Sequence, residues 1–200
     1  FAGCITPIGS PAMTHAKMLK EKYGEDIAIV FIGPCIGKKN EAEHYGLFDV
    51  ALTFEELKVW LHDEVIDISS VAVNPDCKFV PKPAYEGSLY PIDGGMNETI
   101  RKIGIKKDVQ LMDVCGLVQF EKALNNLKPD KLDRTIFVEA LSCEGGCVSG
   151  PCISTEKAGI SIISDVLSRV KDSEIIPKVP ETVVEMDVSP KKVVTSEYSI

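Results

Sequence analysis

The sequence predicts an α/β fold in which a mostly parallel sheet is flanked by helices. The continuous apolar run at residues 27–32 is typical of a strand that is buried on both faces, and residues 109–112 and 135–140 are predicted as further strands of this sheet. Segments with apolar residues at helical spacing separate these runs, and this alternation is typical of layered α/β proteins. Because ligands bind beyond the carboxyl ends of the strands in such sheets, the loops that follow the strands are the candidate site.

The first helix has recognisable ends in the sequence. Ser10 is a good N-cap, Pro11 suits the first turn of a helix, and Gly24 can end it. The strand at residues 27–32 follows, and we expect it to deliver Cys35 to the sheet edge.

A second helix is predicted directly after a short strand at residues 49–52. Thr53 and Glu56 have the spacing of a capping box, which starts a helix. This helix runs to about Leu61 and carries Trp60 on the face predicted to be buried. The remaining predicted elements are irregular chain at 63–93 and helices at 97–102, 117–127 and 159–170.

The 200 residues fit one domain or a large fragment of one. We assign residues 1–173 to this domain and residues 174–200 to an extended arm or linker. Pro177, Pro180 and Pro190 interrupt short β-branched pairs in the arm, which favours extended chain over packed structure.

Composition excludes several classes of function. A net charge of −8 argues against nucleic acid or an anionic membrane as a partner. No apolar run of about 18 residues is present, so no transmembrane helix is predicted. Seven cysteines without a secretory signal favour metal ligation or free thiols over disulfides, and a cytoplasmic location.

Four of the seven cysteines lie in two segments about a hundred residues apart. The first is PCIGKKNE at residues 34–41, and the second is EALSCEGGCVSGPC at residues 139–152. Each follows a predicted strand, so both belong to loops at carboxyl ends. Thiolates gathered there suit a soft iron–sulfur site, and glycines between them let the backbone approach a bulky cluster.

The two segments together resemble the catalytic domain of the iron-only (di-iron) hydrogenase large subunit. The shared pattern is PCxxKxxE followed much later by ExxxCxxGCxxG. Further similarity lies in SP at residues 10–11, DVALTFEEL at 49–57 and GGM at 94–96. The likeness covers about residues 1–165 and implies that the chain is the second of the family's two α/β lobes.

The resemblance implies roles for six residues. Cys35, Cys143 and Cys147 would bind a cubane 4Fe–4S cluster, and Cys147 would also bridge to a di-iron subcluster. Lys38 would hydrogen-bond a cyanide on the di-iron unit. Glu41 and Ser10 match polar positions of the family, whose serine belongs to a proton relay. The alternative interpretation of these cysteines is a zinc site or free thiols in loops.

Three departures from the family pattern change what we expect of this chain. The family motif TSCCP is not matched around Cys4, and Gly33 and Leu141 replace two methionines that pack on the di-iron unit. The glycine triplet that follows the last ligand in the family reads SGP at residues 149–151. These differences resemble the hydrogenase-like sensory branch. Only three thiolates are matched where a cubane usually takes four, so we expect the isolated chain to lack intact clusters. Cys4, Cys77 and Cys115 have no motif context, and Cys152 is either a free thiol or a substitute ligand.

By resemblance, the complete protein is a ferredoxin-type oxidoreductase that reversibly reduces protons to hydrogen. Its partners would be a ferredoxin-like electron donor or adjoining iron–sulfur domains. A non-catalytic redox or hydrogen sensor is the first alternative, and a zinc-binding structural module is the second.

Overall fold

The computed structural model describes residues 2–77, 85–153, 159–170 and 184–185. The main elements, in chain order, are α1 (Pro11–Tyr23), β1 (Val30–Ile32), α2 (Gly37–Tyr45), β2 (Val50–Leu52), α3 (Phe54–Asp63), α4 (Gly95–Ile103), β3 (Val109–Cys115), α5 (Leu117–Asn126), β4 (Thr135–Leu141) and α6 (Ile160–Arg169). This mixed α/β order, with short parallel sheets flanked by helices, confirms the predicted fold class.

Two helix starts are built as the sequence predicts. The Ser10 hydroxyl accepts the backbone N–H of Met13 at the beginning of α1. At the beginning of α3, the Thr53 N–H donates to the Glu56 carboxylate at 2.8 Å, and the Glu56 N–H donates to the Thr53 hydroxyl at 3.2 Å. Side-chain oxygens thus satisfy N–H groups that have no partner within the helix.

The strands form two separate two-stranded sheets within the described residues. Strand β1 pairs with β2, and β3 pairs with β4 in parallel, from Val109 opposite Thr135 to Cys115 opposite Leu141. The expectation that runs 27–32, 109–112 and 135–140 share one sheet is therefore wrong for these residues. An apolar run indicates a buried strand, but it does not specify which strand it pairs with.

The chain divides into two compact units. The first unit contains Phe1–Phe31, Lys39–Ala51 and Val179–Ile200, and the second contains Ile32–Lys38 and Leu52–Lys178. The core of the first unit is made by Met13, Ala16, Phe48 and Val184.

Most of the predicted arm at residues 174–200 lies outside the described residues. Val184 and Glu185 are described: the Gly9 N–H donates to the Val184 carbonyl at 2.6 Å, and Ile8 forms an antiparallel bridge with Glu185. Val184 is also buried in the core of the first unit. The boundary between residues 173 and 174 stays a prediction.

Helix α4 packs closely on a neighbouring turn in the second unit. A Cβ on Gly95, in its first turn, would overlap the carbonyl of Leu89, so only glycine allows this approach. Asn97 and Thr99 on the same helix are buried. The turn that precedes α4 is thereby fixed to the helix.

Trp60 does not lie in a core, contrary to the prediction. Its side chain on α3 is 52% exposed, and neighbouring Val59 is 60% exposed. Helical spacing of apolar residues identifies a face of the helix, but not an element that covers it. Among the described residues, no helix combines the length and apolar character needed to cross a membrane.

Candidate metal centre

Cys35 lies where β1 leads into α2. The backbone turns immediately after it, with the Lys38 N–H donating to the Cys35 carbonyl at 3.1 Å. Helix α2 begins at Gly37, so the N–H groups of Gly37 and Lys38 are directed at the Cys35 sulfur. Free N–H groups at a helix N-terminus stabilise negative charge, and this position therefore favours a thiolate.

Cys35 and Cys147 are in direct contact. The Cys147 thiol donates a hydrogen bond to the Cys35 sulfur, which, with the two backbone N–H groups and the Lys38 ammonium, lowers the pKa of Cys35 to about 5. The same hydrogen bond, burial and the charge on Cys35 raise the pKa of Cys147. One proton is thus held between two sulfurs, in a place where a metal could displace it.

The loop from Cys143 to Cys147 follows β4 and is held by backbone contacts. The Gly146 N–H donates to the Cys143 carbonyl at 3.0 Å, and the Val148 N–H donates to the Pro91 carbonyl at 3.1 Å. Gly146 has φ of +85°, and a Cβ there would lie 2.5 Å from the Pro91 carbonyl oxygen. The glycine therefore lets the loop pass close to the chain at Pro91.

Cys143 interacts electrostatically with Cys35, Cys147 and Cys152 in the second unit. Burial is the largest cause of the raised pKa of the Cys143 thiol. Negative charge on Cys35 and on Cys152 raises this pKa further. The structure thus brings together Cys35, Cys143 and Cys147, the three thiols predicted as ligands. Cys35 and Cys143 also meet the prediction that both segments follow strands.

Lys38 acts on this group of thiols through its charge. Its ammonium lowers the pKa of Cys35 and also opposes the rise in the pKa of Cys147. A cation beside the sulfurs would offset the negative charge of a thiolate-bound cluster.

Ser10 and Glu41 are hydrogen-bonded to each other in the first unit. The Ser10 hydroxyl donates to a Glu41 carboxylate oxygen at 2.6 Å, although 31 positions separate the two residues. The same hydroxyl accepts the Met13 N–H, so it is both a helix cap and a partner of the carboxylate. A hydroxyl and a carboxylate at this distance can pass a proton between them.

Cys115 is a functional candidate that the sequence pattern did not identify. It ends β3, donates a hydrogen bond to Asp93 at 2.8 Å, and its sulfur accepts the N–H groups of Gly145 and Gly146. Burial and then Asp93 raise the pKa of Cys115 to about 12, so it stays a thiol. The sequence feature that could have identified Cys115 is its position at the carboxyl end of a strand. Neighbouring parallel strands end at the same edge of a sheet, where the ligand site lies.

Glu139 stabilises the start of α4. It is 3% exposed and accepts the backbone N–H of Asn97 at 2.9 Å and that of Met96 at 3.3 Å. Burial raises the pKa of Glu139, and the two N–H groups oppose this rise. The residue therefore anchors α4 to β4, shortly before the cysteine loop begins.

All seven cysteines are free thiols. In the part of the chain that the structure describes, no three His, Cys, Asp or Glu side chains surround a point suited to one metal ion. The donor chemistry fits an iron–sulfur group: soft sulfurs, N–H groups directed at sulfur, and a glycine loop that approaches without side chains.

Comparison with known proteins agrees with this arrangement. The family described as "Iron only hydrogenase large subunit, C-terminal domain" matches residues 1–151. Among solved structures, a variant of the [FeFe]-hydrogenase HydA1 from Chlamydomonas reinhardtii superposes with a TM-score of 0.55 at 17% identity, over 84% of this chain and 60% of that one.

A second structure, of HydA(deltaEFG) from work on stepwise [FeFe]-hydrogenase H-cluster assembly, gives a TM-score of 0.53 at 17% identity. The superposition covers 84% of this chain and 60% of that one. These likenesses show a shared fold, and the chain spans about 60% of the length of the structures it matches. With the family match over residues 1–151, they show that this chain belongs to the family of C-terminal domains of iron-only hydrogenases.

Proposed function

We propose that this chain is the thiolate-bearing part of an iron–sulfur site in an iron-only hydrogenase-like protein. Cys35, Cys143 and Cys147 would hold a cubane 4Fe–4S cluster. The observation that carries this proposal is the contact between Cys35 and Cys147, whose sulfurs share one proton beside the Lys38 ammonium. Metal binding to thiols releases such protons, and a cubane is held by thiolates.

In the complete protein, the di-iron subcluster would supply the reversible two-electron reduction of protons to hydrogen. The residues of this chain would prepare and support that site. Lys38 would donate a hydrogen bond to a diatomic ligand of the di-iron unit, and Cys147 would lie between the two clusters. Hydrogen bonds to ligands of this kind tune a metal site and hold its ligands in place.

Proton supply would use the Ser10–Glu41 pair. The 2.6 Å hydrogen bond already joins a hydroxyl to a carboxylate, as a relay requires. Electrons would come from a ferredoxin-like donor or adjoining iron–sulfur domains. The seven free thiols support a reducing compartment such as the cytoplasm.

A sensory function is the second candidate, and two positions favour it. Gly33 is buried and Leu141 is half-buried at the positions where the family has methionines that contact the di-iron unit. Neither residue provides the soft, flexible thioether of methionine. A protein with this site could bind a cluster and respond to redox state without turning over hydrogen.

The two candidates differ in turnover after maturation of the complete protein. If the protein is an enzyme, anaerobically matured protein with reduced ferredoxin or a dithionite–viologen mediator evolves hydrogen, and Lys38→Ala lowers the rate more than Lys39→Ala does. A sensor shows the iron signals by electron paramagnetic resonance but no hydrogen above the mediator blank.

Metal analysis separates both candidates from a zinc-binding structural module. The complete protein, purified under anaerobic conditions, should contain iron and acid-labile sulfide. One zinc ion per chain, with no sulfide and no visible absorption, would contradict the proposal that these thiols hold an iron–sulfur cluster.

A further inference from the structure

The end of β3 lies against the cysteine loop, which runs from Cys143 to Cys147. The Gly116 N–H, directly after the strand, donates to the Leu141 carbonyl at 2.8 Å. A Cβ on Gly116 would lie 2.7 Å from Cγ of Glu144, inside the loop, so Gly116 and the Glu144 side chain pack against each other. The loop is therefore in contact with the chain that follows β3.

The turn before α4 lies against the same loop. The Val148 N–H, just after the loop, donates to the Pro91 carbonyl of this turn at 3.1 Å. A Cβ on Gly146 would lie 2.9 Å from Cα of Ile92 and 3.0 Å from the backbone nitrogen of Asp93. Asp93 is thus directly beside the loop, which contacts both this turn and the end of β3.

One side-chain hydrogen bond joins these two neighbours of the loop. The thiol of Cys115, the last residue of β3, donates to Oδ1 of Asp93 at 2.8 Å, across 22 positions of sequence. The Cys115 sulfur also accepts N–H groups from Gly145 and Gly146. The same thiol is therefore bonded to the turn and to the loop.

The Asp93 carboxylate fixes the direction in which the Cys115 thiol donates. A thiol has one proton to donate, and an ionised carboxylate can only accept. While Asp93 accepts that proton, the sulfur lone pairs remain for the two glycine N–H groups. Without this acceptor, the S–H group can turn toward the loop, where it would meet N–H groups that cannot accept it.

We propose that Asp93 is a positioning residue of the iron–sulfur site, which acts through the Cys115 thiol to hold the cysteine loop in the shape that lets Cys143 and Cys147 bind one cluster. This inference rests on the function proposed above and deepens it. Asp93 supplies no thiolate, so its replacement should weaken the hold on the cluster. Residues that support metal ligands in this way change metal affinity by roughly 10- to 100-fold.

Four variants of Asp93 and of a control residue separate a hydrogen bond from mere packing. Asp93→Asn keeps an oxygen that can accept from the thiol, whereas Asp93→Ala does not. Asp93→Leu keeps the size of the side chain but accepts no hydrogen bond. Asp130→Ala is the control, because Asp130 is an exposed aspartate outside both cysteine segments. Circular dichroism and thermal melting check that each variant folds.

Infrared absorption of the metal-free whole chain measures the thiol directly. The S–H stretching band of Cys115 is assigned by its loss in Cys115→Ala, and donation to an acceptor lowers its frequency. The band should move to higher frequency in Asp93→Ala and Asp93→Leu. It should keep most of its lowered frequency in Asp93→Asn and remain unchanged in Asp130→Ala.

Hydrogen exchange of the metal-free chain then measures the loop. The amides of Gly145 and Gly146 should exchange about two- to twelve-fold faster in Asp93→Ala and Asp93→Leu, the effect expected for loss of one hydrogen bond. Asp93→Asn should restore most of the wild-type rate, which a role in packing alone would not require.

Iron release tests the consequence for the cluster in the complete protein. A chelator is added anaerobically, and the loss of cubane absorbance is followed with time. Release should be roughly 10- to 100-fold faster in Asp93→Ala than in wild type. It should be close to the wild-type rate in Asp93→Asn and Asp130→Ala.

The positioning role of Asp93 would be overturned by any of three results: an unmoved S–H band in both Asp93→Ala and Asp93→Leu, wild-type glycine exchange in these variants, or equal iron release in Asp93→Ala and Asp130→Ala. Failure of Asp93→Asn to rescue would overturn it as well. A complete wild-type protein without iron would instead contradict the proposed function, and the infrared and exchange results would still decide the role of Asp93.

Discussion

Cys115 and Asp93 form a thiol–carboxylate hydrogen bond of 2.8 Å at the end of β3, directly behind the loop that carries Cys143 and Cys147. The sulfur of Cys115 also accepts N–H groups from Gly145 and Gly146, in the middle of that loop. This half-buried thiol is thus a positioning residue, which holds the cysteine loop without binding metal.

Replacing Cys115 should loosen the loop. Cys115→Ala removes an acceptor for the Gly145 and Gly146 N–H groups, and a lost hydrogen bond of about 0.5–1.5 kcal/mol would speed their hydrogen exchange roughly two- to twelve-fold. Cys115→Ser keeps a donor and an acceptor and should restore slow exchange. Hydrogen–deuterium exchange of the metal-free chain measures this. Equal exchange in wild type and Cys115→Ala would show that the thiol does not hold the loop.

Cys35 should be the most acidic thiol of its pair in metal-free protein. Its pKa of about 5 means that it remains a thiolate as the pH falls to about 5, whereas an ordinary cysteine is protonated below about 8.5. Iodoacetamide should therefore alkylate Cys35 at pH 6, where free N-acetylcysteine reacts far more slowly. Peptide mass spectrometry over a pH series gives the midpoint.

The contact with Cys147 is the largest single cause of the lowered pKa of Cys35. Cys147→Ala removes the hydrogen bond that is the largest cause of the lowered pKa, so the alkylation midpoint of Cys35 should move to higher pH. A midpoint near that of N-acetylcysteine in wild type, or one unchanged by Cys147→Ala, would contradict the shared proton.

Glu139 should matter for folding rather than for chemistry. Glu139→Ala leaves the N–H groups of Met96 and Asn97 unpaired, which should cost roughly 1–3 kcal/mol in the free energy of unfolding. Glu121→Ala, an exposed glutamate on α5, is the control and should cost little. Urea denaturation of the metal-free chain measures both. Equal stabilities would show that the Glu139 hydrogen bonds add nothing.

The pH dependence of this contribution has a definite sign. Burial raises the pKa of Glu139 in the folded state above its unfolded value, which is about 4.3. The contribution of Glu139 to the free energy of unfolding is therefore fully present below the unfolded-state pKa. This contribution is lost as the pH rises through the folded-state pKa. Relative to Glu139→Gln, which does not titrate, wild type should lose stability on going from pH 4 to pH 7.

Sequence patterns predicted the structural features that depend on residues close together in the chain. The N-caps at Ser10 and Thr53 each involve a partner three positions away, and both form as predicted. The cysteine loops follow strands as expected, because an apolar run and the glycines after it are local signals. The family pattern then identified which cysteines to consider.

Contacts between distant residues were not predictable in this way. Cys115 is 22 positions from Asp93, and Glu139 is 42 positions from Asn97, so neither pair leaves a pattern in the chain. The pairing of β1 with β2 rather than with β3 or β4 is also a tertiary choice. The prediction that Trp60 is buried was wrong for the same reason, because helical spacing does not identify which element covers a helix face.

Lys38 should be needed for the di-iron unit but not for the cubane. In the complete matured protein, Lys38→Ala should keep the cubane signal and lose iron of the subcluster, because only a hydrogen bond and a nearby charge are removed. Lys39→Ala is the neighbouring control. Iron counts and electron paramagnetic resonance separate the two clusters. Loss of the cubane in Lys38→Ala would make Lys38 a residue that maintains the fold.

The most direct measurement compares Cys147→Ser with Cys77→Ser in the complete protein, by iron content and electron paramagnetic resonance. Cys147 lies against Cys35 in the thiol group, whereas Cys77 is exposed and lies outside both cysteine segments. We predict that Cys147→Ser loses the cubane and the di-iron unit, because serine is a much poorer ligand for iron than a thiolate, and that Cys77→Ser keeps both. Equal iron loss in the two variants, or no loss in Cys147→Ser, would contradict an iron–sulfur centre at these cysteines.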